Sequence, residues 1–80
     1  MDCPKYHYAH KKIVNAKTGG VINIIGKGFT NLEDAEKWIF DIMVADSSKM
    51  SDFFIRYDKK HGDYILSDEQ KHTITSFHIT

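Results

Sequence analysis

Thr30-Asn31-Leu32-Glu33-Asp34-Ala35-Glu36-Lys37-Trp38-Ile39-Phe40-Asp41-Ile42-Met43-Val44 is the stretch whose periodicity decides the fold. Thr30 or Asn31 can cap a helix N-terminus, and Thr30-x-x-Glu33 has the spacing of a capping box. Glu33, Asp34 and Glu36 then fill the first turns, where the helix dipole favours negative charge. At about 100° per residue, Leu32, Ala35, Ile39, Ile42 and Met43 share one arc of about 100°. Trp38 sits on one margin of that arc. Phe40 and Val44 lie past the other, beside Glu33 and Lys37, and widen the apolar surface to roughly 240°. One sheet covers little more than the central arc, so the Phe40/Val44 rim calls for further cover. The helix is expected to end near Asp46, before the loop residues Ser47-Ser48-Lys49.

No second stretch reads as a helix. Upstream, residues 6–14 and 21–25 are rich in aromatic and β-branched side chains and flank Lys17-Thr18-Gly19-Gly20, the pattern of two strands joined by a glycine turn. Gly26 and Gly28 are expected to break the second strand ahead of the helix. Downstream, Phe53 to Tyr57 and Tyr64 to Ser67 read as a hairpin closed through Lys59-Lys60-His61-Gly62, with Gly62 supplying a positive φ. The last ten residues are rich in β-branched side chains and read as a final strand. The order is ββαβββ: a single small α+β domain over residues 1–80, with a mainly antiparallel sheet and the helix on one face.

Eighty residues support one core, and a domain this small buries only about 60–65% of its unfolded surface. An apolar fraction of 41% argues against disorder. The net charge is zero but unevenly spread: residues 1–28 carry +4, residues 29–52 carry −4, and residues 53–80 balance. No basic stripe of the kind that grips a nucleic acid backbone emerges, so direct nucleic acid binding is not expected. A single cysteine excludes an intrachain disulfide. The polar N-terminus lacks a signal-peptide stretch and no apolar run approaches the roughly 20 residues of a membrane span, so a cytoplasmic protein is expected.

Six side chains of the kind that bind soft metals gather at the two chain ends: Cys3, His7 and His10, then His61, His72 and His78. Elements running alternately up and down would bring Cys3, His7, His61 and His78 to one end of the sheet. His10 can join them if the chain turns after Pro4, whereas His72 lies about 20 Å from His78 along an extended strand. These residues are the candidate ligands of a structural zinc that would staple a small sheet. Cys-x3-His-x2-His is not the ligand spacing of zinc fingers or ribbons, and the alternative is that these are ordinary strand, hairpin and terminal residues.

No constellation suits catalysis. Cys3 and His7 lack evident oxyanion donors, and Gly26-Lys27-Gly28 lacks the pattern of a phosphate loop. Tyr6, Tyr8, Phe53, Phe54, Tyr57, Tyr64 and Phe77 have no basic residues interleaved for stacking on bases, so sheet core and cross-strand pairs are the expected account. The helix rim is the candidate binding surface, with Phe40 and Val44 as apolar anchors among Asp34, Lys37 and Asp41.

Gly28-Phe29-Thr30-x-x-Glu33-Asp34-Ala35-Glu36-x-Trp38 resembles the strand-to-helix passage of the arm-type DNA-binding domains of phage integrases. Those domains are basic and end soon after the helix; this chain is neutral and continues for three strands, so DNA binding is not carried over. In general character the chain resembles the small host-defence inhibitors of phages and mobile elements, anti-CRISPR proteins among them. That resemblance implies a non-enzymatic inhibitor that occupies a surface of a larger host nuclease complex, and it transfers no residue. The alternative expectation is a small nucleic-acid-binding or regulatory module using Lys5, Lys11, Lys12 and Lys17 of the first hairpin. A homodimer is compatible with either.

Overall fold

The computed structural model describes residues 6–80. The chain runs β1 (His7–Asn15), β2 (Val21–Phe29), α1 (Leu32–Ser47), β3 (Phe53–Asp58), β4 (Asp63–Asp68) and β5 (Thr73–Ile79). The strands form one antiparallel sheet in the order β2-β1-β5-β4-β3. The expected ββαβββ α+β architecture is therefore the observed one, and α1 is the crossover between its two edge strands.

Three hairpins build the sheet, and all three turn by the same local chemistry. Asn15 Oδ1 accepts the N–H groups of Lys17 and Thr18 at 2.9 and 3.2 Å. Asp68 Oδ1 accepts those of Gln70 and Lys71 at 3.0 and 3.1 Å, and Asp58 Oδ1 accepts that of Lys60 at 3.0 Å. A short polar side chain at the strand end thus bends the backbone onto itself. Each turn then leaves through a left-handed residue: Gly19 at φ 74°, Gly62 at φ 70° and His72 at φ 54°. Glycine takes that conformation freely, whereas His72 does not.

Gly26 and Gly28 do not break β2, which runs through both to Phe29. They face the rings of His10 and Tyr8, their register partners on β1. A Cβ on Gly28 would lie 3.2 Å from the Tyr8 ring, and one on Gly26 would lie 3.4 Å from His10 Nδ1. The missing side chains give the two rings room to lie across the strand.

Asn31, rather than Thr30, caps α1: its Oδ1 accepts the Glu33 N–H at 2.8 Å. Glu33 is therefore the second helical residue, and the capping-box spacing counted from Thr30 is not used. Ala35, Ile39 and Met43 are buried against Ala9, Leu66 and Phe77 of the sheet, with Phe29, Trp38, Ile42, Met50, Tyr64 and Ile79 packed around them. Lys11 joins this interior from β1, between its register partners Ile25 and Phe77, and its Nζ meets Asp46 of α1 at 2.5 Å. The helix lies chiefly over β1 and β2, touches β5 more lightly, and leaves β3 to one side.

Candidate functional site

The lateral position of α1 creates the main surface feature of the molecule. On β4, Leu66 is buried and Tyr64 packs against the core, so both face the helix. Their register partners on β3 are Ile55 and Tyr57, and Asp68 pairs with Phe53. Residues directly opposite in an antiparallel pair share a face, so Phe53, Ile55 and Tyr57 all project on the helix side. The helix does not reach them, and they remain 40%, 49% and 51% exposed.

Phe40 spans the gap from the helix. Its ring meets Tyr64 edge-on at 5.1 Å, and Tyr64 meets Tyr57 at 4.7 Å, so an aromatic ladder descends from α1 to the edge strand. Phe40 stays 41% exposed and Val44, one turn on, 68% exposed. The result is a continuous apolar strip of Phe40, Val44, Tyr57, Ile55 and Phe53. Asp34, Lys37 and Asp41, all exposed, provide its charged border along the helix. Isolated exposed apolar residues are common on proteins, but a contiguous strip rimmed by charge is characteristic of an interaction site. All five partner-binding residues expected from the sequence therefore lie together on the accessible side of α1. The β3 half of the surface was missed: Phe53 and Tyr57, read as sheet core and cross-strand pairs, are exposed together with Ile55. Phe54, on the other face of β3, and Tyr8 are exposed as well.

The candidate metal ligands are distributed differently. The start of β1, the β3–β4 turn and the end of β5 do share one end of the sheet, as up-and-down tracing requires. His7, however, shares the helix face with Ala9, in a cleft with Leu32, Glu36 and Tyr64. His10 and His78 are register partners on the opposite face. The sheet thus separates His7 from both. Cys3 lies outside the described residues. Among the described residues no three His, Cys, Asp or Glu side chains converge on a point suited to a metal ion.

Two carboxylates that the sequence reading passed over occupy the histidines instead. His78 Nδ1 is hydrogen-bonded to Asp63 Oδ1, and His61 Nδ1 lies 2.8 Å from Asp58 Oδ2. Asp58 and Asp63 are direct register partners at the mouth of the β3–β4 turn. The hydrogen bond to His61 holds the Asp58 carboxyl below its usual value, and the same bond raises His61, with the charges of Asp58 and Asp63 adding to it. The aspartates at the two ends of the Asp58 to Asp63 turn were the available signal.

The basic hairpin is also reduced. Lys11 is buried and paired with Asp46, so it cannot meet a phosphate. Lys12 and Lys17 remain exposed, and Lys5 lies outside the described residues. No helix among the described residues is long and apolar enough to cross a membrane. Comparison with family models, with curated proteins and with solved structures finds no match for this chain.

Proposed function

We propose that this protein is a non-enzymatic binding module that docks on a larger protein through α1 and β3. Occupancy of the partner's surface is its mode of action, in the manner of the small phage-encoded inhibitors whose general character the sequence shares. The observation that carries this reading is the strip Phe40-Val44-Tyr57-Ile55-Phe53, apolar, contiguous and uncovered in the folded chain. Aromatic anchors set in an apolar centre with charges at the rim are where protein interfaces concentrate binding energy. The acidic border, with Asp34 and Asp41, suits a partner whose own surface is basic, as the nucleic-acid groove of a nuclease complex is. Such charges would mainly speed encounter and set orientation, leaving affinity to the apolar anchors.

The test is to express the chain with an RNA-guided nuclease complex and measure both co-purification and cleavage. Wild-type protein should bind the complex and suppress cleavage, and Val44→Asp should lose both while keeping its melting temperature. Phe40→Ser should behave alike at a modest stability cost. Failure to bind or suppress any of a panel of such complexes would remove the inhibitor reading. Unfolding by Phe40→Ser would instead place Phe40 in the core.

A further inference from the structure

The β3 edge has a structure that goes beyond an apolar surface. Glu69 N–H donates to the Asp52 carbonyl at 3.0 Å, and Gly62 N–H donates to the Asp58 carbonyl at 2.8 Å. Both ends of the strand therefore direct their even-numbered backbone groups toward β4. Backbone direction alternates residue by residue along a strand, so Phe54 and Arg56 do the same. Phe53, Ile55 and Tyr57 direct their N–H and C=O groups off the free edge, where the described residues offer no strand to receive them.

Unpaired edges invite pairing with another chain, and proteins blunt them with bulges, prolines, short strands or charged side chains, lysine above all. The other edge, β2, carries such devices: a register irregularity opposite Ile13 and Val14, and the run Gly26-Lys27-Gly28. The six residues of β3, Phe-Phe-Ile-Arg-Tyr-Asp, contain no bulge, proline, glycine or lysine. The one arginine of the chain, Arg56, is exposed on this strand and forms no ion pair among the described residues. Asp52, also exposed and without an ion pair among the described residues, immediately precedes the strand four positions before Arg56, and its carbonyl extends the β3–β4 hydrogen bonding.

We propose that β3 pairs antiparallel with β3 of a second copy of this chain, about a two-fold axis through Phe54, joining two sheets edge to edge. Charge selects the register. Centred on Phe54, the pairing sets Asp52 opposite Arg56 of the second copy, and the reverse, so both charges are matched. Phe54 faces Phe54 of the second copy on the same side. On the helix side Phe53 faces Ile55 of the second copy, and the reverse; these are the hydrogen-bonded pairs, each exchanging both backbone bonds. Centring on Arg56 would set arginine against arginine. Centring on Ile55 would set Asp52 against Asp58. With the chain's net charge at zero, no long-range repulsion opposes the encounter.

A pairing of Asp52–Arg56 with the same five residues of the second copy is small beside the roughly 800 Å² per partner of a standard stable interface, so the dimer is reversible and concentration-dependent. It leaves both sheet faces in place, and Phe40 and Val44 stay open on each copy. It therefore does not depend on the docking function proposed above.

Sedimentation equilibrium of the purified chain tests this directly. The wild type should rise with concentration from 9.3 kDa toward twice that mass. Asp52→Arg and Arg56→Asp each place like charges opposite one another and should stay monomeric. The double variant, which swaps the two charges, should associate again, and an equimolar mixture of the two single variants should form a heterodimer. Both side chains are exposed, so thermal melts should show each variant folded. A wild type that remains monomeric up to its solubility limit overturns the proposal. So does a dimer that ignores both charge reversals, which would have to form through another face. Because the readout is self-association, its failure is separate from loss of nuclease binding by Val44→Asp.

Discussion

Lys11 and Asp46 fasten the C-terminal end of α1 to the sheet, and the pair shows how one residue's role is set by its face. An ammonium taken from water needs a partner, and Asp46 supplies it at 2.5 Å. Lys11→Ala would leave Asp46 without its ammonium and remove the packing of the lysine stem as well. The expected cost is about 1–3 kcal/mol, less than for a fully enclosed pair because Asp46 keeps some contact with water. Chemical denaturation would show it, and Lys11→Met combined with Asp46→Leu should recover most of the loss. A single variant as stable as wild type would show that the pair does not fix the helix.

The Asp58–His61 pair is exposed and acts through pH. His61 is raised above 6.5, so its contribution is present below that value and fades as pH rises through the raised one. Asp58 is lowered below 3.8, so its contribution is present above that value and fades as pH falls through the lowered one. Together they favour the folded chain most in the mildly acidic window between. His61→Gln should flatten the decline in melting temperature from mildly acidic to mildly alkaline buffer. An unchanged profile would assign that decline to another group.

Among the elements, the three hairpin turns share an Asn or Asp at the strand end and a left-handed residue four positions on. Gly19 and Gly62 accept positive φ freely, while His72 holds φ 54° with a side chain attached. His72→Gly should therefore stabilise the domain by roughly 0.5–1 kcal/mol, the left-handed penalty less the added chain entropy. Thermal melts read this as a rise of several degrees; a fall would mean that the His72 side chain makes a contact worth more than its strain. The strands and helix were legible because each carries its own period and punctuation. The extent of β2 was not, since a glycine that breaks a strand and one that seats a neighbouring ring look alike until the register is known. The placement of the metal candidates depends on the same point. His7 and His10, three apart on a strand, necessarily lie on opposite faces. That His78 joins His10 rather than His7 depends on the β1–β5 register, which no local pattern encodes.

The position of α1 governs the whole molecule and was the least legible feature of the sequence. Amphipathicity specifies which side of a helix faces a sheet, and it does not specify which strands lie beneath. The helix rim was readable because Phe40 and Val44 fall outside the buried arc, whereas the exposure of Phe53, Ile55 and Tyr57 follows only from the helix lying over β1 and β2. The same asymmetry divides the stability of the sheet. β1 and β5 are interior strands with core residues Ala9 and Phe77, while β3 is held by β4 alone. Regions with few buried contacts open first, so native-state hydrogen exchange should find β1 and β5 amides most protected and β3 amides least. Within β3, dilute protein should protect Phe54 and Arg56, whose N–H groups face β4, and leave Phe53, Ile55 and Tyr57 to exchange freely. Raising the concentration should then slow Phe53 and Ile55, the residues paired across the proposed two-fold axis, without changing Phe54 or Arg56. Arg56→Asp should abolish that concentration dependence. Uniform protection along β3 at every concentration would contradict both the strand's backbone alternation and its pairing with a second copy.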